Sequence, residues 1–72
     1  MEKFSPQRLA GETLRYLIKK QFATQQDFAD EYGTDIRTTS RYINEGINKV
    51  DVIQELAEFF DVDISFFFVA HS

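Results

Sequence analysis

The chain's 72 residues make room for one domain with a small core, and its eleven aromatics must supply much of the burial. The absence of cysteine excludes a disulfide framework and a thiolate metal site, and the single histidine, His71, cannot form a ligand cluster alone. A net charge of −4 argues against a generic basic nucleic-acid binder, so the distribution of charge carries more information than its sum.

In chain order, Met1-Glu2-Lys3-Phe4 lacks the apolar region of a signal peptide, and no run approaches the ~20 apolar residues of a membrane span. The expected compartment is the cytoplasm, with no membrane partner. Ser5-Pro6 reads as an N-cap followed by proline at the first helical position, and Ala10, Leu14, Leu17 and Ile18 form a helical stripe ending near Lys20. Thr24 and Asp27 have capping-box spacing, which starts a second helix at Gln25. Phe28, Ala29 and Tyr32 form its apolar stripe, and Gly33 suits a left-handed stop. Asp35 caps a third helix through Ile36, Tyr42 and Ile43 that ends in Asn44-Glu45-Gly46. Asn48 or Lys49 opens a fourth, whose Val52, Ile53, Leu56, Ala57, Phe59 and Phe60 make a broad apolar face. Asp63 then caps Ile64 to about Phe68, which reads equally as a helical turn or as a strand. No repeat, linker or low-complexity tract interrupts the chain, so residues 1–72 read as one compact all-α domain of four to five helices.

All eight lysines and arginines lie in residues 1–49, against seven acids there, whereas residues 50–72 carry five acids and no base. Arg8, Arg15, Lys19, Lys20, Arg37, Arg41 and Lys49 therefore offer a modest positive face, the alternative being ordinary solvated charges. One side of a short helix buries at most two of the consecutive rings Phe66, Phe67 and Phe68. The remainder predicts a dimer surface; the alternative is closure of the core over the first and fourth helices. The carboxylates sit at helix starts and polar faces, no nucleophile stands in a recognisable frame, and no glycine-rich phosphate loop is present. Catalysis, a cofactor, a metal and a small-molecule ligand are accordingly not expected.

Two helices of ~9 residues joined by a turn of ~3 have the spacing of a DNA-binding helix-turn-helix. The stretch resembles the lambda-repressor-like (Cro/XRE) family: Gln25 opens the motif, Ala29 is its small residue, Gly33 sits in the turn, and Ser40-Arg41-Tyr42-Ile43-Asn44 matches the end of its recognition helix. Leu56-Ala57-Glu58-Phe59-Phe60-Asp61-Val62-Asp63-Ile64 is similar to that family's fourth helix and its exit, so the resemblance spans about residues 6 to 68. Three positions depart from it. Thr39 stands where the family buries Ile or Val, Glu45 where it often has Gly, and Asp61 where Gly usually follows the fourth helix. Thr39 is expected to bond the carbonyl four residues back, and Gly46 to supply the left-handed residue one step after Glu45.

The resemblance implies a cytoplasmic transcriptional regulator, a repressor in the first instance, that reads the major groove of double-stranded DNA. Base contacts then fall to Ile36, Arg37, Ser40, Arg41 and Asn44, and phosphate contacts to Gln25, Gln26, Thr38 and Lys49. It also implies a homodimer on a near-palindromic operator. The competing reading is a helix-turn-helix-like interaction module, of antitoxin or anti-repressor type, whose acidic surface meets a protein partner.

Overall fold

A computed structural model describes residues 6–69, which form four α-helices and one 3₁₀ segment, with no strand among the described residues. The helices are α1 (Pro6–Gln21), α2 (Gln25–Tyr32), α3 (Ile36–Glu45) and α4 (Val50–Phe60), and the 3₁₀ segment is Ile64–Phe68. The Ser5 cap lies outside the described residues. Local capping sets most of the boundaries. The Asp27 amide donates to Thr24 Oγ1 at 3.1 Å, and Gly33 ends α2 at φ 93°, its amide bonded to the Ala29 carbonyl at 2.9 Å. Asp35 Oδ1 accepts the Thr38 amide at 2.7 Å at the head of α3. Thr39 is fully buried, and its hydroxyl donates to the Asp35 carbonyl at 3.1 Å, so the polar atom in the family's Ile/Val slot is satisfied. Asp61 adopts the left-handed conformation after α4 (φ 59°), a placement that costs a non-glycine residue roughly 1 kcal/mol.

Helix α1 is the centre of the domain and touches α2, α3, α4 and the 3₁₀ segment. Its stripe of Ala10, Leu14, Leu17 and Ile18 is buried with Phe28, Ile47, Ile53, Leu56, Ala57, Phe60 and Phe67 in one cluster. Around Phe28 the rings of Phe22, Tyr32, Phe59 and Phe60 pack at centroid distances of 5.3–5.7 Å, mixing stacked and edge contacts that join α2 to α4. Phe59 remains partly exposed, so the broad face expected of α4 is not wholly covered.

The closing segment resolves the choice between turn and strand. Asp63 Oδ1 accepts the Ser65 amide and the Asp63 carbonyl accepts the Phe66 amide, each at 2.9 Å, which winds the chain into a 3₁₀ turn. With three residues per turn, Ile64 and Phe67 fall on one side and meet the core. Phe67 is 0% exposed and thus is a core ring, which corrects its assignment to a dimer surface. Phe66 and Phe68 are half-buried, Phe66 near Tyr16 at 6.3 Å. The apolar side chains most open to solvent are Val50 (66%) and Val69 (50%), and Val50 shares a pocket with Gln7, Ile47, Ile53 and Phe68.

Gly46 is where the structure departs from the expected left-handed stop. Its φ is positive at 99°, but its ψ of 171° is extended, a region open essentially to glycine alone. The reason is a long-range backbone bond: the Ile47 amide donates to the Gln7 carbonyl at 3.0 Å, so the chain must turn straight back onto α1. A Cβ on Gly46 would lie 2.7 Å from the Gln7 carbonyl oxygen, and one on Gly11 would collide with the Tyr42 carbonyl. The α1–α3 seam is therefore a backbone-to-backbone approach held open by two glycines. Gly46→Ala is expected to destabilise the domain by about 2–3 kcal/mol in urea unfolding, against about 1 kcal/mol for Gly33→Ala, where no atom stands within 4 Å of the added Cβ. Equal losses at the two sites would refute the seam argument.

Thr13 is 1% exposed in α1, and its hydroxyl lacks a hydrogen-bond partner among the described residues. Replacing a buried, unsatisfied hydroxyl by a methyl removes a desolvation penalty. Thr13→Val is expected to raise stability by about 1 kcal/mol, read as a higher urea midpoint at unchanged slope.

Candidate nucleic-acid interface

Helix α3 has two unlike sides. Thr39 is buried and Tyr42 and Ile43 are half-buried against the core, which fixes the helix's rotation. The other side faces solvent, where Ile36, Arg37, Ser40, Arg41, Asn44 and Glu45 line one shallow open groove. All five residues expected to contact bases are thus brought together, and Ile36 is 41% exposed although apolar. Helical spacing sorts them into two parallel rows, Ile36-Ser40-Asn44 and Arg37-Arg41-Glu45. Within the first row Asn44 Nδ2 donates to Ser40 Oγ at 3.2 Å, which leaves the amide oxygen as an acceptor and the serine hydroxyl as a donor. Arg37 and Arg41 are exposed, and neither makes an ion pair among the described residues.

The four expected phosphate contacts do not share that groove. Gln25 and Gln26 are exposed in the first turn of α2, and Gln26 Nε2 donates to Asp30 Oδ1 at 2.9 Å. Thr38 is half-buried with its amide committed to Asp35. Lys49 lies beside a second depression, shared with Arg41, Tyr42, Glu45, Ile47, Asn48 and Val52. It is also the N-cap of α4 but provides no side-chain cap, so the helix opens with uncapped amides next to an exposed ammonium. Arg41 and Glu45 belong to both depressions and form the ridge between them. Glu45 enters the sequence pattern only as a departure from the resemblance; its i+4 spacing from Arg41 is the signal that places it on this face.

Electrostatics at the head of α3 are local. The bond from the Thr38 amide holds the Asp35 carboxyl below its ordinary value of 3.8, with smaller help from Arg37 and Arg41. A depressed carboxylate stabilises the fold above its ordinary value, and that contribution is lost as pH falls through the lower folded value. Wild type is expected to lose thermal stability more steeply than Asp35→Asn below about pH 4, a difference measurable by melting at several pH values.

Acidic surface lies elsewhere: Asp51, Glu55, Glu58 and Asp61 are exposed along and just beyond α4. Tyr32 Oη donates to Glu55 Oε1 at 3.3 Å, and burial together with that carboxylate pushes the phenol up to about 12. Among the described residues no group of His, Asp and Glu has metal-binding proximity, and no helix is long and apolar enough to cross a membrane. No protein-family model, curated protein or solved structure matches the chain.

Proposed function

We propose that this chain is a sequence-specific DNA-binding regulator of transcription, acting in the cytoplasm, that lays α3 in the major groove. The observation that carries the reading is the exposed side of α3, where an apolar side chain, two exposed guanidiniums and a serine–asparagine pair line one groove. Those are the groups that discriminate base edges: Arg for guanine O6 and N7, Asn for adenine, and an apolar contact such as Ile36 for the thymine methyl. Lys49 lines the neighbouring depression, which shares Arg41 and Glu45 with the groove, and would meet a phosphate strand there. A single module of this size buries only about 600–1,000 Å² on DNA, so a homodimer on a near-palindromic operator supplies the missing affinity. The exposed Val50 and Val69, with the half-buried Phe66 and Phe68, would supply the adhesive surface.

The test is selection from random duplexes followed by gel shift and sedimentation of the complex. One enriched, near-palindromic site bound by two copies is the expected result; no enrichment over mixed-sequence DNA would reject the reading. A second reading is favoured by one observation, the acidic solvent face of α4 with the partly exposed Phe59 on the same helix. It takes the domain as a protein-interaction module, for which heparin would not retain the chain and a basic protein partner would.

A further inference from the structure

Glu45 breaks two local rules at once. It places a carboxylate in the last turn of α3, where the helix dipole disfavours negative charge and the turn itself holds no basic residue. It also places that charge on the ridge beside Arg41 and Lys49, facing the surface assigned to a polyanion. No hydrogen bond or ion pair engages Glu45 among the described residues, and it is exposed. An exposed carboxylate that the helix dipole disfavours and that repels phosphate, with no partner among the described residues, points to a role outside the fold.

We infer that Glu45 is a specificity-determining residue of the α3 face, accepting a hydrogen bond from a cytosine N4 amino group and opposing every encounter that lacks one. This rests on the DNA-binding reading above and deepens it. Base edges present few donors in the major groove, and a carboxylate is the side chain suited to the cytosine amine. Arg41 stands four residues earlier in the same row, about 6 Å along the helix axis, whereas stacked base pairs are about 3.4 Å apart. Arg41 and Glu45 therefore address neighbouring positions in the groove, one as donor to guanine and the other as acceptor from cytosine. On mixed sequence the carboxylate rarely meets a matched cytosine amine and adds repulsion to the phosphates, which suppresses phosphate-driven binding.

The experiment compares the unmodified chain with Glu45→Gln and Glu45→Ala on two duplexes, the selected site and a mixed-sequence control, with circular dichroism as the check on folding. Both variants should fold, since a charge unfavourable to the helix has been removed. Affinity for the control duplex should rise about three- to tenfold near 0.1 M salt. At one base position of the selected site the preference for cytosine should fall about tenfold, with glutamine shifting it towards adenine, and the other positions should be unchanged. Equal gains on both duplexes, or an unchanged base preference, would overturn the inference while leaving DNA binding intact. If the unmodified chain selects no site, the inference and the reading beneath it fall together.

Discussion

Phe67→Ala is expected to remove about 3–5 kcal/mol of folding free energy, a large share of what a domain this small possesses. The ring is fully buried and sits between α1 and α4, the two helices that the 3₁₀ segment touches. Truncation leaves a cavity in the shared core where the segment packs on α1 and α4, and helices fixed by their other contacts cannot collapse to fill it. The comparison that gives the result meaning is Val69→Ser, one turn end away and half exposed, which should change stability by no more than about 0.5 kcal/mol. Urea unfolding of both variants separates the roles: loss of structure at Phe67 with none at Val69 identifies core and surface. Were Phe67→Ala to remain fully folded with an unchanged midpoint, the packing of the closing segment described above would be wrong. Val69→Ser should also weaken self-association, which sedimentation reads independently of stability.

The double variant Arg37→Ala, Arg41→Ala is expected to lose about 2–6 kcal/mol of specific DNA affinity, because each bidentate guanine contact is worth about 1–3 kcal/mol. The two side chains lie one helical turn apart in the same row, so their losses need not add, and the single variants complete the cycle. Both are exposed and free of ion pairs among the described residues. Stability should therefore shift by less than about 0.5 kcal/mol, and any fall in affinity is then a property of the interface. Gel-shift titration at fixed salt on the selected duplex measures the loss. A control with Lys49→Ala should weaken specific and mixed-sequence binding alike and lower the salt slope by about one, the signature of a phosphate contact. An intact affinity in the double variant would move the interface away from α3.

The helix boundaries were legible in the sequence because their causes are local. Thr24, Asp35 and Asp63 each satisfy an amide two or three residues ahead, and Gly33 closes α2 on a carbonyl four residues behind. The stripe of α1 and the outward side of α3 were legible for a related reason, since a fixed helical period tells which side chains share a face. That period also placed Ile36, Arg37, Ser40, Arg41 and Asn44 together before any tertiary contact was considered.

What escaped the sequence depends on segments far apart in the chain. The conformation of Gly46 follows from the Ile47–Gln7 backbone bond, and the value of Gly11 from the Tyr42 carbonyl that comes to rest on it. Ile47, fully buried, drew no notice in a stretch that reads as a loop. Three consecutive phenylalanines gave no hint of which one turns inward, because strand and 3₁₀ turn distribute them differently and only packing on α1 and α4 selects between the two. Glu45 likewise joins Lys49 and Arg41 in one depression only once the loop folds back. Caps and periodicity act within one or two turns; the seams, the buried loop residue and the sharing of a groove require the whole domain to close.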